Sequence, residues 1–165
     1  DCTLFLESLA EASRRYAVEI HCYCLLSNHY HLLVRSREGG LSDFMRFSMG
    51  RFTRVRNVRR ASDGPLFRGR FTSQLIETEP QLIECSRYIH LNPVKASLAA
   101  NPQDWGWSSA RAYLGLERPP AWLITAELLA MFGPKDQATA YLRFLQDGIE
   151  PRDGVRPRGS DTSTD

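Results

Sequence analysis

Residues 25–34, LLSNHYHLLV, place His29 and His31 one residue apart inside an otherwise apolar run. Side chains two apart on a strand share a face, so the two imidazoles point together while Tyr30 and Leu32 turn the other way. The preceding AVEIHCYCL, residues 17–25, alternates and is rich in β-branched and aromatic residues, which predicts a strand. LSN is then a tight turn, and HYHLLVRS is the returning strand of a β-hairpin, with His29 at its start. Paired imidazoles fill a core poorly, but they hold a metal ion well.

Outward from the hairpin, helical spacing dominates. TLFLESLAEASRRY, residues 3–16, repeats Phe5, Leu9, Ala12 and Tyr16 on one face. After the EGG break, Ser42 is placed to cap a helix from Asp43 to about Arg56, striped by Met45, Met49 and Phe52. Residues 59–71 read as a loop, and RFTSQLIE, residues 70–77, as a third strand. Thr78 and Gln81 fit a capping box opening a helix expected to stop near Asn92, before Pro93. Leu82, Cys85 and Ile89 form its apolar stripe, and Gln81, Glu84, Tyr88 and Asn92 a different one. Shorter helices are expected around ARAYL (110–114), capped by Asp104, Ser108 or Ser109, and near 126–132 and 135–146. Disorder is expected from residue 148 onward.

The bulk numbers bound the answer. The 165 residues suffice for one domain with a real core, and 42% hydrophobic with 24% charged is an ordinary globular balance. No apolar run approaches the ~18 residues of a membrane helix, so no membrane partner is expected. No secretory signal is visible at the N-terminus. Cysteines 2, 22, 24 and 85 form neither a zinc knuckle nor a disulfide framework, which points to buried thiols and a reducing cytoplasm. Net charge is only +2, yet residues 46–70 hold eight arginines against the single acid Asp63. Such a local field suits a polyanion, unless it is merely a solvated helix face. Arg51, Arg54, Arg68 and Arg70 are the expected nucleic-acid contacts.

Tyr88 and Asn92, four apart, share one face of their helix. A carboxamide oxygen is a legitimate hard ligand for Mg²⁺ or Mn²⁺. Two imidazoles and one amide leave open positions on such a metal, which can then polarise a phosphoryl oxygen. A tyrosine beside it can attack phosphorus and split one displacement into two reversible ones. Each feature alone is commonplace; together, with a basic helix between them, they point to nucleic-acid chemistry. His90, two residues from Tyr88, points to the opposite side of the helix and is expected to pack. Trp105 and Trp107 are expected to anchor a core, and Cys22 and Cys24 to face one without chemistry.

Three segments carry a family resemblance. CLLSNHYHLLV (24–34) resembles the M-P-N-H-x-H-L-L-V segment of single-tyrosine HUH transposases, and RYIHLNPVKASL (87–98) their Y-I-H-x-N-P-V-R-A-G-L segment. DWGWSSARAYLG (104–115) resembles the W-x-W-S-S segment of the REP-associated branch, and LFRGRF (66–71) also looks like the family. The resemblance implies a Mg²⁺- or Mn²⁺-dependent endonuclease and strand transferase acting on single-stranded or hairpin DNA. It implies His29 and His31 as metal ligands, Asn92 as the third, and Tyr88 as a nucleophile forming a 5′-phosphotyrosine. It further implies a ferredoxin-like α+β domain over residues 1–100, a helical extension over 101–147, a tail over 148–165, a monomer, and a cytoplasmic, nucleoid-associated setting. Ser27 stands where the family has Pro, and Ser97 where it has Gly. Relatives begin with a strand before the first helix, so an N-terminal strand is expected to be missing from the sheet. The alternative readings are a non-cutting DNA-binding remnant and an unrelated metal hydrolase using His29 and His31.

Overall fold

A computed structural model describes residues 1–149. The fold is α+β: α1 (Cys2–Tyr16), β1 (Val18–Leu25), β2 (Tyr30–Ser36), α2 (Leu41–Arg60), α3 (Glu79–Lys95), a 3₁₀ turn (Pro102–Asp104), α4 (Ala110–Tyr113), α5 (Ala126–Ala130) and α6 (Gln137–Asp147). The expected disordered tail lies, from residue 150, outside the described residues.

β1 and β2 form the antiparallel hairpin, with Leu25 opposite Tyr30, Cys24 opposite His31 and Tyr23 opposite Leu32. A bulge between Ile20 and Cys22 resets the alternation of β1. Val18 and Ile20, then Tyr23 and Leu25, therefore share one face and pack with Phe5, Leu9, Phe44 and Met45 of α1 and α2. Tyr30, Leu32 and Val34 join them from β2, in an aromatic cluster where the Phe5 ring lies 5.0 Å from Tyr30 and 5.2 Å from Phe52. Cys22, Cys24 and Leu33 face the opposite layer, against Ile89 and Leu91 of α3, Tyr113, Tyr141 and Leu145. The sheet is thus sandwiched between two helical layers, and Cys22 and Cys24 are buried in the core as expected, while Cys2 and Cys85 are only partly buried. The C-terminal elements also close the outer edge of β1: Leu25 N donates to Trp107 O, Ser109 N to Tyr23 O, and Ile124 N to Ile20 O.

Several boundaries differ from expectation. The N-cap of α2 is Gly40, not Ser42; Phe44 N donates to Gly40 O, and a Cβ on Gly40 would stand 3.0 Å from Tyr16 O. It runs on to Arg60, where Arg56 and Arg60 both reach Asp1. The Thr78–Gln81 capping box forms as expected. α3, however, continues through Pro93 to Lys95. The burial of Leu91, Asn92 and Pro93 outweighs the local cost of the proline, and the helix ends in a Schellman motif, with Leu98 N on Pro93 O and Ser97 N on Val94 O. Among the described residues, 70–77 form no ladder: Phe71 and Leu75 are exposed and only Ile76 packs against a core cluster. Alternation makes a strand only where a partner edge meets it. Trp105 donates its indole N–H to Leu25 O, as a core anchor should, but Trp107 is exposed.

Ser97 closes the Schellman motif in the left-handed region, at φ 56°. An L side chain pays ~1–2 kcal/mol there that glycine avoids, partly offset by glycine's freer unfolded chain. Ser97→Gly is expected to stabilise the protein by about 0.5–1 kcal/mol in urea unfolding; no gain would mean the serine is unstrained.

Burial pushes His90 down to about 3 and also lowers His21, aided there by Arg35. Unfolded histidine titrates near 6.5. Between that value and the folded one, the unfolded chain binds more protons, so the stability contributed by these groups is complete above pH 6.5 and is lost as pH falls. Urea unfolding at pH 7 and 4.5 is expected to show a loss of more than ~1 kcal/mol, and His90→Gln to flatten that slope.

Candidate functional site

β2 and α3 meet at one end of the hairpin. His29 is the last residue before β2 and is exposed; His31 is the second residue of the strand and half-buried. Their rings stand edge to face at 5.1 Å. The Tyr88 ring, from α3, lies 5.3 Å from His31, again edge to face. Asn92, one turn further, is 8% exposed and its carboxamide adjoins the His31 imidazole. Four residues read separately from two distant motifs are therefore brought together by the packing of α3 on the hairpin.

Two details bear on what these groups can bind. His31 Nε2 is buried with no hydrogen-bond partner among the described residues. An orphaned buried nitrogen is costly unless something fills its lone-pair direction. His29 Nδ1 sits 2.7 Å from Asn28 Oδ1. A carboxamide oxygen only accepts, so Nδ1 carries a proton, and in the neutral ring it is Nε2 that keeps the lone pair. Asn28 thus does for His29 what an outer hydrogen bond does for a metal-ligating histidine. The sequence reading treated Asn28 only as a turn residue; its place before His29 was the available signal. No group of three His, Cys, Asp or Glu side chains suited to a metal occurs among the described residues. A metal held here would depend on His29, His31 and the amide of Asn92, and the orphaned Nε2 fits that role.

The electrostatics favour a neutral His31. Burial lowers its pKa first, the neighbouring His29 lowers it further, and the Asn92 contact opposes them. Tyr88 is 49% exposed. The Lys95 ammonium stands 5.4 Å over the Tyr88 ring, a cation the sequence reading did not single out.

The arginine field divides. Arg51 bridges α2 to α1, pairing with Glu11 at 2.6 Å and donating to Ser8 Oγ at 2.9 Å. Arg46 pairs with Asp43, and Arg56 and Arg60 with Asp1. Arg54, Arg68 and Arg70 are exposed and make no ion pair among the described residues. No helix of the described residues is long and apolar enough to cross a membrane.

Comparison with protein-family models, curated proteins and solved structures found no match.

In metal-free buffer, His31 is expected to titrate below the ordinary imidazole range by NMR. His29→Ala removes a like charge and opens the site to water, so the His31 value should rise. A fall would contradict the arrangement described.

Proposed function

We propose that the chain is a metal-dependent, single-tyrosine nuclease and strand transferase of the HUH transposase type, acting on single-stranded or hairpin DNA. The observation that carries this reading is the meeting of His29, His31 and Asn92 beside Tyr88, with a buried His31 nitrogen left without a partner. His29, His31 and Asn92 would hold Mg²⁺ or Mn²⁺, which when bound supplies charge neutralisation at a phosphodiester oxygen. The chain's own residues do the rest. Tyr88 Oη forms a bond to phosphorus as the P–O3′ bond breaks; the phenol gives up its proton and the departing 3′ oxygen takes one up. The product is a 5′-phosphotyrosine and a free 3′-hydroxyl, and attack by a 3′-hydroxyl on the phosphotyrosine reverses the step on a new strand.

Arg54, Arg68 and Arg70 would grip backbone phosphates, whereas Arg51 would reach one only by exchanging its bridge to Glu11. In this reading the protein acts as a monomer on bacterial chromosomal DNA in the cytoplasm. The ferredoxin-like order would place a strand preceding α1 between β2 and residues 70–77. Two features support it: among the described residues, β2 has backbone ladder bonds only to β1, and residues 70–77 have no ladder partner. A second reading is a protein that binds DNA through the same arginines but does not cut.

Incubation with hairpin DNA and Mn²⁺ is expected to give a covalent adduct on a denaturing gel. Tyr88→Phe or a chelator should abolish it, and Asn28→Ala should weaken Mn²⁺ binding by about ten-fold. Hairpin binding without an adduct would select the non-cutting reading. An adduct that survives Tyr88→Phe would refute the assignment of the nucleophile.

A further inference from the structure

The face of α3 opposite Tyr88 carries a buried polar chain that the chemistry above does not use. His90 is fully buried, with Nδ1 2.6 Å from Tyr141 Oη and Nε2 2.7 Å from Ser109 Oγ. Tyr141 Oη lies 3.1 Å from Ser86 Oγ, which lies 2.7 Å from Ile83 O. At the other end, Tyr23 N lies 2.9 Å from Ser109 Oγ.

The ends fix the direction of every proton. A carbonyl cannot donate, so at 2.7 Å Ser86 must donate to Ile83 O. Its only proton is then committed, and Tyr141 must donate to Ser86. Tyr141 Oη is left to accept, so His90 carries its proton on Nδ1. Neutral His90 therefore accepts at Nε2 from Ser109, which in turn accepts from the Tyr23 N–H. The opposite polarity would have Ser109 donate to Tyr23 O, a longer 3.2 Å contact, and would leave Ser86 and Ile83 oxygens at 2.7 Å with no proton between them. The chain runs from the β1 backbone through the cap of α4, across α3 to α6, and back into the α3 backbone.

We propose that His90 is a positioning residue for the Tyr88 centre, setting the roll of α3 through this one-way chain; the inference rests on the function proposed above. Two residues on a helix are 200° apart, so a bond at His90 restrains Tyr88 and Asn92 from behind. With side chains at a radius of ~5–6 Å, a roll of about 10° moves their tips by about 1 Å. A misplacement of that size at a reacting centre costs on the order of 100-fold in rate.

Tyr141→Phe removes one hydroxyl and little volume. At saturating hairpin DNA and Mn²⁺, the rate of adduct formation per folded molecule is expected to fall at least ten-fold, with hairpin affinity within two-fold of wild type. The His31 ring signals in metal-free NMR should shift, since the Tyr88 ring lies against them. A lower melting temperature with an unchanged rate and unmoved His31 signals would overturn the proposal. If Tyr141→Phe does not fold, Ser86→Ala cuts the same chain with a smaller change and is read the same way. If wild type forms no adduct, the nuclease reading fails by itself. The His31 signals of the variant then still decide the positioning role: a shift supports it and none overturns it.

Discussion

The parity of β2 decides how the molecule is organised. Tyr30 enters the aromatic cluster with Phe5 and Phe67, while His31 turns to the layer that holds α3. A slip of one residue in the hairpin would exchange the two faces, burying imidazoles among phenylalanines and turning Tyr30 and Leu32 toward the α3 layer. The register is held by apolar packing on one side and by the closed β1 edge on the other. The bulge between Ile20 and Cys22 lets β1 serve both layers, because it restores the large apolar residues to the α1–α2 face after His21 has interrupted them.

The second layer is built differently. Its centre holds tyrosine, histidine and serine groups where a typical core would use leucine: Tyr113 gives its hydroxyl to His21 O, and Tyr141 and Ser109 flank His90. Such a core is stable only when every polar atom is matched, and a half-matched one is worse than an apolar core. What it supplies is directionality. Apolar side chains tolerate small rolls of a helix, whereas a chain of short hydrogen bonds does not. The tyrosine-bearing helix is therefore pinned by the layer that can hold an orientation most closely.

Much of this was legible in the chain. The hairpin, the Thr78–Gln81 cap and the apolar stripes follow from local chemistry, and local chemistry is what a sequence displays. The pairing of His31 with Tyr88 followed only from joining separate motifs, since nothing local links residues 57 positions apart. The misses share one cause. Pro93 reads as a helix stop until its burial is known, Ser42 reads as a cap until the approach of Gly40 to Tyr16 is known, and residues 70–77 read as a strand although no partner edge meets them. Arg51 belongs with these: charge composition counts it in a basic field, while Glu11, forty residues earlier, holds it between two helices.

The two histidines at the start of β2 divide the work of a binding site by their surroundings. A ligand nitrogen must be unprotonated, and burial together with the charge of its neighbour keeps His31 so at neutral pH. His29 is exposed, and its hydrogen bond to Asn28 fixes the proton of the neutral ring on Nδ1, leaving Nε2 to face a ligand. One imidazole is thus poised by desolvation and the other by orientation. The arrangement leaves one face of the pair open to solvent and to the half-exposed Tyr88. A closed site would hold an ion and nothing else; an open one beside an exposed phenol and a cation such as Lys95 can admit a charged polymer. The exposure of Tyr88 is, on this argument, as informative as the burial of His31, because each is in the state its proposed role requires.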